Sequence, residues 1–203
     1  MNFPKKWIVL GVVVLFLLIL GGSCVHSYNK LVGLNESVGA QWGKVEGAYQ
    51  RRADLVDNLV KTAQQAAKVE KDILTSVINA RASATQVKIS ADDLKDPAKL
   101  KQFEDAQNQL GQSLGRLLVV SEQYPELKSL DAFKNLAVTL EQTENRINVE
   151  RDRFNDTARE FNTQRDSFPT VIMAGFFGSK FSDKAYFQAK AGADTAPSVQ
   201  FEK

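Results

Sequence analysis

From Tyr28 onward, apolar residues return at every third and then fourth position. The stops are Tyr28, Leu31, Asn35, Val38, Trp42, Val45, Tyr49, Arg52, Val56, Leu59, Ala63, Ala66, Glu70, Ile73, Val77, Ala80 and Ala84. Lys, Glu, Gln, Arg and Asp fill the flanking positions, and no proline interrupts the count. A seam repeating every seven residues over about eight heptads predicts a long helix supercoiled on partner helices. Unbroken, that helix is roughly 85 Å long at 1.5 Å per residue. It must be packed along its length, because a wet seam forfeits the burial that drives helix association.

Two further helices are predicted. The polar, β-branched stretch 83–93 lacks helical period and ends the first helix. Asp96-Pro97 then starts the second, with Asp96 as cap and proline at the first helical position. Its seam is Leu100, Phe103, Gln107, Leu110, Leu114, Leu117, Ser121 and Tyr124, and Pro125 ends it. Asp131 is placed to cap a third helix, with seam residues Phe133, Ala137, Leu140, Glu144, Ile147, Arg151, Phe154, Ala158, Phe161, Arg165 and Phe168. Pro169 closes it. Residues 171–178 (Val-Ile-Met-Ala-Gly-Phe-Phe-Gly) are apolar but too short to span a bilayer. They read as a loop folded onto the end of the bundle, or as a surface-active or partner-binding hook. Beyond residue 189 the chain is Lys, Gly, Ala, Asp, Thr, Pro and Ser with a lone Phe201 and is expected to be disordered. A weak β-augmenting pattern lies at 197–201.

The amino-terminal end has a different pattern. Lys5 and Lys6 precede residues 7–25, which carry no charge and include Trp7, Ile8, Leu20 and Val25. These residues make roughly 28 Å of helix, close to the hydrocarbon thickness of a bilayer. Trp7 and Tyr28 are placed as interfacial anchors, and the two lysines favour a cytoplasmic amino terminus with the body outside. A rival reading takes Leu20-Gly21-Gly22-Ser23-Cys24 as a lipoprotein signal with Cys24 acylated, although glycine stands where such signals usually carry leucine.

Composition narrows the function. The chain has 203 residues, 43% hydrophobic and 25% charged, enough for one core with a tail. A net charge of +2 gives no bulk electrostatic case for nucleic acid. One cysteine and one histidine, His26, exclude an internal disulfide, a multi-thiolate metal site and a His-pair site. No catalytic residue, cofactor or metal ligand set is assigned. The fold class expected is all-α: a membrane anchor (1–27), an antiparallel bundle of three, or four, long coiled-coil-like helices (28–187), and a disordered tail (188–203).

Charges at seam positions need partners, since a lone buried charge costs several kcal/mol. The candidates are Arg51 or Arg52 with Glu141, Glu144 or Glu150, and Asp54 with Arg146 or Arg151. Every nearby acid has an arginine within a turn, which favours a structural network over a catalytic or metal site.

Three ordered blocks carry a resemblance. The first holds Trp42, Tyr49 and the run Gln50-Arg51-Arg52-Ala53-Asp54-Leu55-Val56-Asp57-Asn58-Leu59-Val60; the second is 117–127, ending Glu122-Gln123-Tyr124-Pro125-Glu126-Leu127. The third is Glu144-Asn145-Arg146-Ile147, Glu150-Arg151, Phe154-Asn155, Phe161-Asn162-Thr163 and Phe168-Pro169. In this order they resemble the LemA family of membrane-anchored bacterial proteins. That family commonly has proline where this chain has Asp57, a departure that removes a local kink. The resemblance implies an antiparallel helical bundle on a membrane anchor, with no established enzymatic activity.

Helix lengths bear on partners. The second helix is about 40 Å and the third about 60 Å, so the second cannot return to the membrane beside a continuous first. The seam Leu31, Val38, Trp42, Val45 and Tyr49 is then left short of cover, and is expected to pack against a second copy or another membrane protein. The other reading is a bend near Gly43 or Gly47 that makes this stretch a fourth helix of the bundle. A non-enzymatic, membrane-anchored scaffold or adaptor at the bacterial inner membrane is expected, acting through self-association and protein contacts. The alternative is an accessory or regulatory subunit of a membrane protease or assembly machine.

Overall fold

A computed structural model describes residues 5–65 and 70–188. Side chains of Lys5 and Ile8, the seam stop Ala66, and nearly all of the expected tail, including 197–201, lie outside the described residues.

The described chain is all-α. Its helices are α1 (Lys5–Gln65), α2 (Lys71–Gln86), α3 (Pro97–Ser121), α4 (Pro125–Lys128), α5 (Asp131–Asp166) and α6 (Thr170–Phe177). Short 3-10 turns cover Ala91–Lys95 and Gly178–Phe181. Asp96 accepts from the amides of Ala98 and Lys99 with Pro97 at the first position, which satisfies two orphan donors of α3. At the start of α5, Leu130 rather than Asp131 holds the cap position, and Asp131 contributes its charge to the first turn. Pro125 does not end α3, which stops at Ser121; it opens the single turn of α4.

The expected unbroken helix over 28–84 is corrected. α1 ends at Gln65 and α2 runs back antiparallel beside it, so that Arg81 Nε donates to the Ala53 carbonyl at 2.9 Å. Glu70, counted as a seam stop, is exposed at the start of α2, where its carbonyl accepts from Ile73 and Leu74. The physical reason is cover. Folded back, Leu74, Val77 and Ala84 bury against Val56, Leu59, Val60 and Ala63, which a straight rod would leave to water. A seven-residue count keeps its phase across such a reversal, so periodicity alone did not expose it.

Four helices therefore make the bundle, with α5 antiparallel to α1. From Tyr28 to its end α1 is roughly 56 Å long and α5 roughly 54 Å, so each covers the other along the whole body. The distal half is a four-helix core of Val56, Leu59, Leu74, Val77, Leu110, Leu114, Leu117, Phe133 and Leu140. The half next to the apolar end has only α1 and α5 running through it. There the chain 87–95, the start of α3 with Leu100 and Phe103, α6 and an extended strap over 182–188 supply the missing sides.

This arrangement corrects the uncovered seam. Leu31, Val38, Trp42, Val45 and Tyr49 are all buried within the single chain, Leu31 to 0% exposure. Trp42 is ringed by Phe103, Phe154 and Phe187, with centroids 5.6, 5.5 and 5.9 Å away, and its indole N–H donates to the Ile89 carbonyl at 3.1 Å. The ground for self-association through this seam is thereby removed. In a Cys24→Ser background, cysteine at Val38 or Val45 is expected to resist maleimide until denatured and to give no crosslinked dimer in membranes. Labelling as fast as that of cysteine at exposed Val138 would refute this packing.

Candidate functional site

Two regions hold the chemistry that packing alone does not require. The first is the amino-terminal end of α1. Trp7, Leu20 and Val25 are exposed, as are all the large apolar side chains between them whose surroundings are described. The helix is long and apolar enough to cross a bilayer, and the window that makes it so is wholly uncovered. The protein is membrane-associated through this element. Cys24 and His26 are exposed on it, and burial begins at the next residue, Ser27.

Just past the apolar run, the body forms a collar. Tyr28 meets the rings of Phe177 and Phe181 at 4.8 and 5.7 Å, and Lys180 Nζ donates to the Tyr28 hydroxyl at 2.7 Å. α6 is a helix where a loop was one expectation, and it packs through Thr170 and Ala174. Phe168, expected on the α5 seam, is instead 81% exposed beside it.

The second region is a polar layer at mid-bundle. Arg52 is buried, and its Nη1 lies 2.5 Å from Glu144 Oε1 on α5. Its Nη2 donates to both the side-chain and the main-chain oxygen of Gln107 on α3. Gln107 in turn donates to the Ala84 carbonyl of α2 at 3.1 Å. One guanidinium thus links four helices at a single level. A cleft of about 280 Å³ opens over it, lined by Tyr49, Asn108, Glu144, Asn148 and Arg151 among others. Glu144 is 43% exposed there, so the pair has one dry and one wet end.

Around this layer lie other pairs. Glu150, 4% exposed, accepts from Gln41 Nε2 at 2.8 Å, with Arg153 and Arg146 at 3.3 and 3.9 Å. The Gln41 hydrogen bond, then the nearby cations, hold its carboxyl below the usual range against the opposing effect of burial. Glu104 goes the other way: burial raises it despite Arg151 at 2.7 Å. Arg151 also donates to the Gln188 carbonyl and lies 4.6 Å over the Phe187 ring.

The strap is held by amides one heptad apart. Asn155 accepts from the Phe187 amide at 2.8 Å and donates to its carbonyl at 3.0 Å. Asn162 does the same to Lys184, at 2.9 Å each way. Arg165 Nε donates to the Phe181 carbonyl at 2.6 Å while its Nη1 pairs with Asp166 and Asp183.

The structure brings Arg52 to Glu144 and Glu150 to Arg146, but not Asp54 to Arg146 or Arg151. Asp54 accepts from Gln50 on its own helix, and Arg51 is exposed outside the cluster. The reason is facing: residues two apart on a helix do not share a side, so Asp54 turns outward when Arg52 turns in. Gln41, Glu104, Asn155 and Asn162 were missed as site residues. The one available signal was that Phe154-Asn155 and Phe161-Asn162 repeat one heptad apart.

Two outcomes follow for stability. Glu144→Ala strands a buried guanidinium and should cost on the order of 3 kcal/mol, while Arg52→Met leaves a half-wet carboxylate and should cost less. The double variant should recover most of the difference in urea melts; additive losses would show that the pair is not coupled. Glu150 contributes stability above its ordinary value of 4.5 and loses it as pH falls through its lowered folded value. Melting temperatures of the native protein and Glu150→Gln should therefore differ at pH 7 and converge on acidification. A gap that stays constant with pH would count against this.

The chain is 28% identical over 184 residues to Magnetosome protein MamQ 2 of Paramagnetospirillum magneticum, covering 83% of this chain and 67% of that protein. MamQ 1 of the same organism matches to the same extent. Magnetosome protein MamQ of Magnetospirillum gryphiswaldense is 28% identical over 204 aligned positions, 93% of this chain and 74% of that protein. The model of the LemA family matches residues 41–201, which take in the polar layer, the aromatic ring around Trp42 and the strap. On that match the chain belongs to the LemA family.

Proposed function

We propose that this protein is a non-enzymatic, membrane-anchored scaffold or adaptor that holds partners, or further copies of itself, at the bacterial cell envelope. The observation that carries the reading is the continuity of α1, bare and apolar at one end and the spine of a closed bundle at the other. The interior charges are engaged in joining helices: Arg52 with Glu144 and Gln107, Gln41 with Glu150, Arg151 with Glu104. A carboxylate whose oxygens are already taken by an arginine or an amide is occupied, which suits register more than proton transfer or metal binding.

With the inner seam filled, contacts use outer faces. A shallow cleft of about 550 Å³ between α2 and α3, lined by Asp72, Thr75, Ser76, Asn79, Gln112 and Arg116, is one such face, far from the apolar end. Lys5 and Lys6 ahead of the apolar run support a cytoplasmic amino terminus in the inner membrane, with the body on the opposite side.

Extraction in a gentle detergent followed by mass measurement of the intact assembly tests the role. A mass above that of one chain, from further copies or a stoichiometric partner, is expected. A bare single chain that turns over a substrate would overturn the reading. An impermeant maleimide applied to intact spheroplasts, with cysteine at Val138, should label the body; protection until lysis would reverse the orientation.

A further inference from the structure

We propose that α6 is a second lipid-contacting element, whose exposed apolar face beds into the interfacial zone of the bilayer that α1 enters. The proposal rests on reading α1 as a membrane anchor and adds to it a site on the folded body.

The first ground is what α6 leaves uncovered. Between Asp166 and Lys180 no residue is charged. The helix buries only Thr170 and Ala174, while Phe176 and Phe168 are 81% exposed and Ile172 is 61% exposed, with Val171 and Phe177 beside them. A contiguous apolar patch of this kind marks a binding surface and is not an ordinary scatter of exposed hydrophobes.

The second ground is where the patch lies. Phe177 packs on Tyr28, three residues beyond the last apolar residue of the run, Val25. Three residues are about 4.5 Å along the helix axis. The polar layer on each side of the hydrocarbon is roughly 5–7 Å deep. With α1 in a bilayer, the Phe177 end of α6 is therefore held at the depth of the headgroups, and lipid is the occupant already present there.

The third ground is charge. Lys30 is exposed next to the collar, and Lys180 is exposed with its ammonium on the Tyr28 hydroxyl. The neighbouring acids Asp166 and Asp183 are both engaged by Arg165. Lysines on the neighbouring segments beside exposed apolar side chains suit an anionic bilayer surface, which attracts cations next to the apolar area it buries.

Depth-resolved fluorescence tests the proposal on the full chain in phosphatidylcholine–phosphatidylglycerol vesicles. In a Cys24→Ser background, the NBD fluorophore is placed on Ile172→Cys or Phe176→Cys. Val13→Cys reports the span, and Val138→Cys reports the distal body, roughly 42 Å along α5 from its Asp166 end. With lipids brominated on the upper acyl chain, emission at 172 and 176 should shift to the blue and be quenched as at Val13, with neither effect at Val138. Adding Phe176→Asp, a change at a surface position, should abolish both effects for the label at 172.

Labels at 172 and 176 that behave like Val138 while Val13 is quenched would overturn the proposal and leave the anchor standing. A blue shift without quenching would mean that protein covers the patch, and would overturn it equally. An unquenched label at Val13 would defeat the anchor reading itself, and the proposal with it.

Discussion

Arg52 is the point at which the fold is fixed. Its guanidinium reaches Glu144 on α5 and Gln107 on α3, and Gln107 carries the connection to α2. Most contacts above and below this level are apolar, and an apolar contact tolerates sliding by a heptad with modest loss. The contacts at this level do not, because a slipped helix leaves a buried guanidinium without its acceptors. The interior has two cores, one holding Leu31, Trp42 and Phe161 and the other Val56, Leu117 and Leu140. The cost of burying one charge is offset by a unique alignment of four helices, the best-attested use of such groups.

The half nearest the membrane is held by different means. Only α1 and α5 run its length, and two helices cannot enclose a core. Extended chain completes it, which raises the question of where its backbone groups find partners. The side chains of α5 answer it: Asn155 and Asn162 present an amide to the strap as a neighbouring β-strand would, with donor and acceptor together. Phe187, placed by that clamp, closes the ring around Trp42. An irregular segment thus becomes part of the core without a sheet.

Much of this was legible in the residues. The apolar run, the helical seams, the α3 cap and the need of the seam charges Arg52 and Glu144 for partners all follow from spacing and from the rule that interior charges are matched. The reversal between α1 and α2 was not legible, because both arms keep one heptad phase and no proline or glycine cluster marks the change. The cover over Leu31 to Tyr49 was hidden for a related reason. It comes from segments without periodicity, the strap and residues 87–95, whose contribution depends on side-chain clamps that no repeat announces. Asp54 was misassigned because proximity in sequence stood in for facing on the helix.

The uninterrupted course of α1 through the collar has a mechanical meaning. No glycine pair or proline lies between Cys24 and Leu31 to act as a swivel. The azimuth of the body about the bilayer normal is therefore set by helical phase. One residue gained or lost in that short interval would rotate the entire bundle by about 100° and shift it by about 1.5 Å. Its outer faces would then meet the surroundings from a different quarter with every internal contact intact.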